Sequence, residues 1–198
     1  NFRLLRGAKN RFGATSEVGI FEMTDQGMIE VSNPSTALLK DRVKRTPGSV
    51  IVSTVEGTRP VLVEIQALVV PTSLPVPRRV AQGVNYSRLQ LIVAVLTKRL
   101  GLSLGGCDVV VNVAGGIKIE DPGADLGMAL AIYSSVKDRA LPVRMAVFGE
   151  VGLLGELRPV YQDKQRIKEA RRLGFTEIVC PEKYSSIREV VKMVGKVG

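Results

Sequence analysis

The stretch SVIVSTVEGTRPVLVEIQALVV, residues 49–70, limits the folds open to this chain most sharply. Two apolar runs, SVIVSTV and PVLVEIQALVV, flank EGTRP, whose Gly57 and Pro60 mark a reversal. That pattern predicts an antiparallel hairpin. Downstream, Leu89, Ile92, Val93, Leu96 and Leu100 recur at helical spacing and stop near Gly101. CDVVVNVAGG then reads as a buried strand running into glycine, and DLGMALAIYSS as the next helix. RMAVFGEV and EIVCP read as further strands, and SIREVVKMV as a last helix. DKQRIKEARRLGF, 163–175, predicts an amphipathic helix with Ile167, Ala170 and Leu173 inward and Gly174 ending it. A hairpin among strands and helices that do not alternate strictly as βαβ predicts an α+β domain built on a mixed sheet.

The rest of the chain divides around that block. In residues 1–32, EVGIFEM and MIEV flank TDQG, a strand–turn–strand signal. NPSTALLKDR predicts a short helix capped by Asn33 or Ser35. KDRVKRTPGS, 40–49, is charged, poor in apolar residues and closed by Pro-Gly, so it reads as a boundary or linker. We therefore expect one unit over 1–45 and another over 46–198. PTSLPVPRR, 71–79, holds three prolines and predicts a rigid, exposed loop.

What is absent narrows the chemistry. The chain has no histidine, which excludes Ser-His-Asp and Cys-His mechanisms carried by it alone, and zinc sites of the usual Cys/His spacing. No G-x-x-x-x-G-K-[ST] loop occurs to cradle nucleotide phosphates. No apolar run approaches the ~20 residues that span a bilayer, and LQLIVAVL at 89–96 is the longest. There is no signal peptide, and the chain opens at Asn1 without Met, so it reads as part of a longer protein in the cytoplasm. The cysteines, Cys107 and Cys180, read as buried free thiols of a reducing compartment. Against 19 acidic residues stand 28 Lys and Arg, a net charge of +9 that favours a polyanionic partner such as nucleic acid.

Three constellations carry candidate function. In KNRFG, 9–13, Lys9 and Arg11 would share one face of a strand with Phe12 opposite, beside Asn10 and the permissive Gly13. Paired cations of that kind suit phosphate, and they equally suit a solvated strand edge protected by Lys. Loop cations form the second set: Arg59, Arg78, Arg79, Lys118 and Arg158, with Arg88 added from the start of a helix. Loops on a rigid scaffold are favoured places for binding residues, and the low aromatic content points to backbone contacts rather than base stacking. Lys164, Arg166, Lys168, Arg171 and Arg172 instead read as the charged outer face of a helix. The third is EDPGADLG, where Glu120, Asp121 and Asp125 gather at a helix start. Free backbone N–H groups and the macrodipole account for acids there, and a metal held by the three is the alternative.

Read together, these segments resemble the RadA (Sms) family, bacterial recombination and repair ATPases of the RecA superfamily. KNRFG followed by GATSEVGIFEM and NPS is similar to the end of that family's ATPase core, and PGSVIVSTVEGTRPVLVEIQALV to the start of its Lon-protease-like domain. The resemblance implies terminal strands of a RecA-like α/β core, then a Lon-like fold of the ribosomal-protein-S5-domain-2 type. It implies a hexameric ring that binds DNA and serves branch migration, with recombinase filaments as further partners. ATP and magnesium would act in the full-length protein, and zinc in a finger upstream, with no cofactor in this stretch. Lys9 and Arg11 would couple a neighbour's nucleotide to DNA, and the loop cations would face the duplex.

Active Lon proteases present a nucleophilic Ser between two glycines at the start of a helix and activate it with a Lys. Matching Gly123 and Gly127 to those glycines puts Asp125 at the Ser position, and Lys164 falls at the Lys position. The resemblance thus implies a site without peptidase activity, and we expect Asp125 and Lys164 to form an ion pair. Two rivals remain: a peptidase using Ser134 or Ser135, and a purely structural module for ring formation.

Overall fold

A computed structural model describes residues 2–6 and 18–196. Three short strands open it, β1 (Phe2–Arg6), β2 (Val18–Thr24) and β3 (Gly27–Glu30), joined as an antiparallel meander. Helix α1 (Pro34–Leu38) follows, capped by Asn33, whose side chain accepts from Thr36 N–H. The central hairpin is β4 (Ser49–Glu56) and β5 (Arg59–Pro71), paired from Ser49–Gln66 to Glu56–Arg59. Then come β6 (Arg79–Gln82), α2 (Tyr86–Leu100), β7 (Cys107–Val113) and α3 (Asp125–Lys137). The chain ends with β8 (Met145–Val147), the two-residue strands β9 (Glu150–Val151) and β10 (Leu157–Arg158), α4 (Asp163–Arg172), β11 (Glu177–Val179) and α5 (Ile187–Lys196).

Six strands form one sheet in the order β11-β8-β4-β5-β7-β6. The hairpin and the β5–β7 pair are antiparallel, while β11–β8, β8–β4 and β7–β6 are parallel. The sheet is mixed and the fold α+β, as the irregular order of strand and helix signals predicts.

Residue alternation along the hairpin sorts side chains between two cores. Val50, Val52, Val61, Val63 and Ile65 meet Leu89, Ile92 and Leu96 of α2, Leu126 and Leu130 of α3, and Val190 of α5. Ile51 and Leu62 point the other way, to Ala146, Phe148, Ile178 and Ala170 of α4. With both faces covered, every position of SVIV must be apolar or fully bonded. Helix α4 covers only part of the second face, so Leu68 and Val70, farther along β5, stay exposed. Strand β2 and helix α1 join the larger core through Ile20 and Leu38, and Arg59 donates to Ser32 O, between β3 and α1. Cys107 and Cys180 are free thiols, and Cys180 is buried. Among the described residues no helix is long and apolar enough to cross a membrane.

Candidate functional site

The turn into α3 is built from its own backbone outward. Asp121 ends an extended stretch, Pro122–Ala124 form a single 3-10 turn, and α3 begins at Asp125. Two glycines are required by closeness here. A Cβ on Gly127 would lie 2.1 Å from Val52 Cγ2, so only glycine lets α3 press this tightly onto β4. A Cβ on Gly123 would lie 2.8 Å from the Arg166 guanidinium, which packs directly under the turn. Backbone bonds stitch the turn to the β8–β9 segment, with Gly149 N–H donating to Gly123 O and Leu126 N–H to Gly149 O.

Both aspartates of the turn are matched by arginines. Arg166 Nη1 donates to Asp121 Oδ2 at 2.6 Å and to Ser53 O, Nε donates to Tyr161 O, and the guanidinium lies over the Phe148 ring. Asp121 Oδ2 also accepts from Thr54 Oγ1 and Val55 N–H, and Oδ1 accepts from Gly123 N–H. This pair joins the hairpin, the turn and α4 at one buried point. Asp125, at 1 % exposure, is bonded by Arg88 through Nε at 3.2 Å and through Nη2, and accepts from Val151 N–H at 3.2 Å. Burial pushes the Asp125 carboxyl above the usual carboxylate range, with Arg88 and Val151 N–H pulling it back. The same hydrogen bond raises the pKa of Arg88 and holds it charged.

These contacts correct three readings of the sequence. The expected Asp125–Lys164 pair is absent: Asp125 pairs with Arg88, and Lys164 lies exposed on α4 without an ion pair among the described residues. Lys164 sits two positions before Arg166, and that step turns it away from the buried face. Arg166 is not on an outer charged face but is the largest fully buried side chain among the described residues. Its place four residues before the inward Ala170 was the available signal. The metal alternative fails too, since Arg166 and Arg88 occupy Asp121 and Asp125, and no group of three potential ligands forms among the described residues. The cavity beside Asp125, lined by Asn85, Arg88, Glu120 and Met128, measures about 110 Å³.

Ser134 and Ser135, the rival nucleophiles, hold backbone instead. Ser134 Oγ donates to Arg139 O at 2.6 Å and accepts from Gly48 N–H, and Ser135 Oγ accepts from Val69 N–H at 2.9 Å.

The loop cations divide by what they touch. Arg88 and Arg158 both approach Glu150, at 4.0 and 3.9 Å, and Arg158 also pairs with Glu156 at 2.5 Å. Arg79 turns inward, donating to Leu104 O, Cys107 O and Arg78 O. Arg78 pairs with Asp108, Lys118 with Glu120, and both keep most of their side chains exposed. Arg59 is exposed on the hairpin tip. Lys9, Asn10, Arg11, Phe12 and Gly13 lie outside the described residues.

Comparison with known proteins places this geometry. Residues 81–184, more than half of the chain, match the family described as subunit ChlI of Mg-chelatase. The chain is 50% identical over 182 residues to the DNA repair protein RadA of Halalkalibacterium halodurans, covering 92% of this chain and 40% of that protein. It is 46% identical over 197 residues to the protein of the same name from Listeria monocytogenes, covering 100% and 43%. For Synechocystis the figures are 48% over 198 residues, 98% and 39%. The chain therefore spans about two fifths of the length of the curated relatives it matches. With 46% to 50% identity over 92% to 100% of its length, the chain belongs to the RadA family.

Proposed function

We propose that this chain is the DNA-binding, ring-forming C-terminal part of a RadA-type ATPase that acts in DNA repair and homologous recombination by promoting branch migration. Residues 1–45 end a RecA-like core, and 46–198 form a Lon-like domain without peptidase activity. Its relatives are named as DNA repair proteins, and the charge of +9 favours a phosphate backbone. The observation that carries the loss of peptidase chemistry is the closed Asp125–Arg88 pair. Where a nucleophile would stand, a buried carboxylate is bonded by a guanidinium and a backbone N–H, and Lys164 is not bonded to it.

On this reading Arg59, Arg78, Lys118 and Arg158 present exposed charge to DNA, while Arg79 and Arg88 shape the loops that carry it. Lys9–Gly13 couple nucleotide to DNA at a subunit boundary of a hexamer. ATP, magnesium and a zinc finger belong to the remaining length of the relatives, recombinase filaments are partners, and the setting is the cytoplasm.

Filter binding of duplex DNA to this chain across a salt series, with oligomer mass measured in parallel, tests the reading. A linear fall of log affinity with log salt, by about 0.9 for each phosphate neutralised, is expected. A ring that forms without any salt-dependent binding would assign the chain to assembly alone. Casein turnover lost on Lys164→Ala would restore the peptidase.

A further inference from the structure

The far end of α3 carries a basic trough that the proposed DNA contacts do not include. At 13 residues, α3 places this end about 20 Å from Asp125. One cavity of about 470 Å³ is lined by Arg45, Arg139 and Arg144 over a floor of Leu141, Pro142 and Val194. A second, of about 320 Å³, is lined by Arg42, Lys44 and Arg144 beside the Leu173–Phe175 turn. The two share Val143 and Arg144, so they adjoin on the surface. Five cations line them and, among the described residues, no Asp or Glu does.

Ordinary structural duties account for only part of this concentration of charge, since Arg42 and Arg139 each hold a backbone carbonyl. Cations often gather at a helix C-terminus to satisfy its carbonyls. Here Asp138 N–H and Arg139 N–H already bond Ser134 O and Ser135 O, and the Arg139 guanidinium reaches Gly195 O instead. Arg144 and Lys44 are exposed, and among the described residues neither side chain makes an ion pair or hydrogen bond. Arg42 Nη1 holds Val143 O at 2.9 Å, and its Nε is buried without an acceptor among the described residues. The acid nearest in effect to Arg42 is Glu64, which is buried and bonded by Ser49 Oγ. Arg45 stands at φ 60°, a conformation uncommon outside glycine and one that persists at functional positions.

We infer that this trough is a second phosphate-binding surface for a nucleic-acid backbone, separate from the loop face. Four of the five cations are arginines, whose planar fork matches phosphate oxygens. Phe175 is packed into the smaller core and offers no face to a base, so the trough reads charge and not sequence. The inference rests on the nucleic-acid reading above but names different residues, so the two can fail separately.

The test uses the triple variant Arg45→Gln, Arg139→Gln, Arg144→Gln beside a loop-face variant, Arg78→Gln, Lys118→Gln. Each is titrated with a fluorescein-labelled duplex of about 30 base pairs, by anisotropy, from about 50 to 300 mM KCl. The triple variant is expected to lose about 2 to 3 from the magnitude of the log–log salt slope, and to bind about tenfold or more weakly at the low-salt end. The same loss should appear on any duplex sequence. Should the triple variant melt early, Lys44→Gln, Arg144→Gln removes only unbonded side chains, and a slope reduced by about 2 supports the inference equally. An unchanged slope in a folded variant, with binding lost in the loop-face variant, overturns the trough and leaves the earlier reading standing. A parent chain that binds no duplex at any salt overturns both. Loss of poly-glutamate binding with duplex binding intact would assign the trough to an acidic protein and also overturn the inference.

Discussion

The two ends of α3 handle positive charge in opposite ways. At the N-terminal end each arginine has a carboxylate partner, Arg166 in Asp121, and Arg88 in Asp125 and Glu150, though Arg166 Nη2 is buried without an acceptor among the described residues. At the C-terminal end Arg42, Lys44, Arg45, Arg139 and Arg144 line two adjoining cavities without an acid among the described lining residues. Matched, desolvated charge serves the fold, because removing one partner leaves the other buried and uncompensated. Exposed charge without an ion pair, as at Lys44 and Arg144, contributes little to the fold. One helix thus separates a turn whose arginines face carboxylates from a surface whose lining cations face none among the described lining residues.

That contrast can be broken most forcefully at Arg166. Arg166→Ala should cost about 4–5 kcal/mol, since Asp121 would keep its buried charge and Ser53 O and Tyr161 O would lose their donor. Urea unfolding measures it, and a cost near zero would mean that the pair is ornamental. Arg88→Ala comes next, at about 3 kcal/mol, because its guanidinium is about one-third exposed while Asp125 is buried.

The second variant also has a pH signature. Burial already raises the folded pKa of Asp125, and removing Arg88 raises it further. A carboxyl with a raised folded pKa favours the folded state below its unfolded pKa and loses that contribution as pH rises through the folded value. The stability gap between Arg88→Ala and parent should therefore narrow on acidification toward pH ~4, as thermal melts at stepped pH would show. A gap that widens on acidification would mean that Asp125 draws its stability from its other partners. Smallest in stability is the trough: Arg45→Gln, Arg139→Gln, Arg144→Gln should shift unfolding by no more than about 0.5 kcal/mol per site. A larger cost would make those cations structural and erase the difference between the ends.

Much of the fold was legible beforehand, and for a local reason. Hairpin β4–β5 announces itself because two short apolar runs and the reversal at Gly57 and Pro60 between them are encoded within a few neighbours. Helix α2 is likewise read from its spacing, down to Gly101 in the left-handed conformation. The six-strand order was not legible, because β4 pairs β8 across more than ninety residues of chain. The candidate site divides the same way. Asp125 at a helix start was visible in DPGADLG, but its partner was not. Arg88 lies 37 positions away, and the family pattern pointed to Lys164 instead. Arg166 was misread because arginine in a charged helix usually faces water, and only the unmatched Asp121 carboxylate makes its burial favourable.

Sequence by itself determined the charge, the lack of histidine chemistry and the α+β class, since each follows from residue type, short-range periodicity and the order of the segments. Tertiary structure alone decided which cations are spent inside the protein and which are left for a ligand. Charge is a property of a residue, whereas its availability depends on what the folded chain brings within a few ångströms of it.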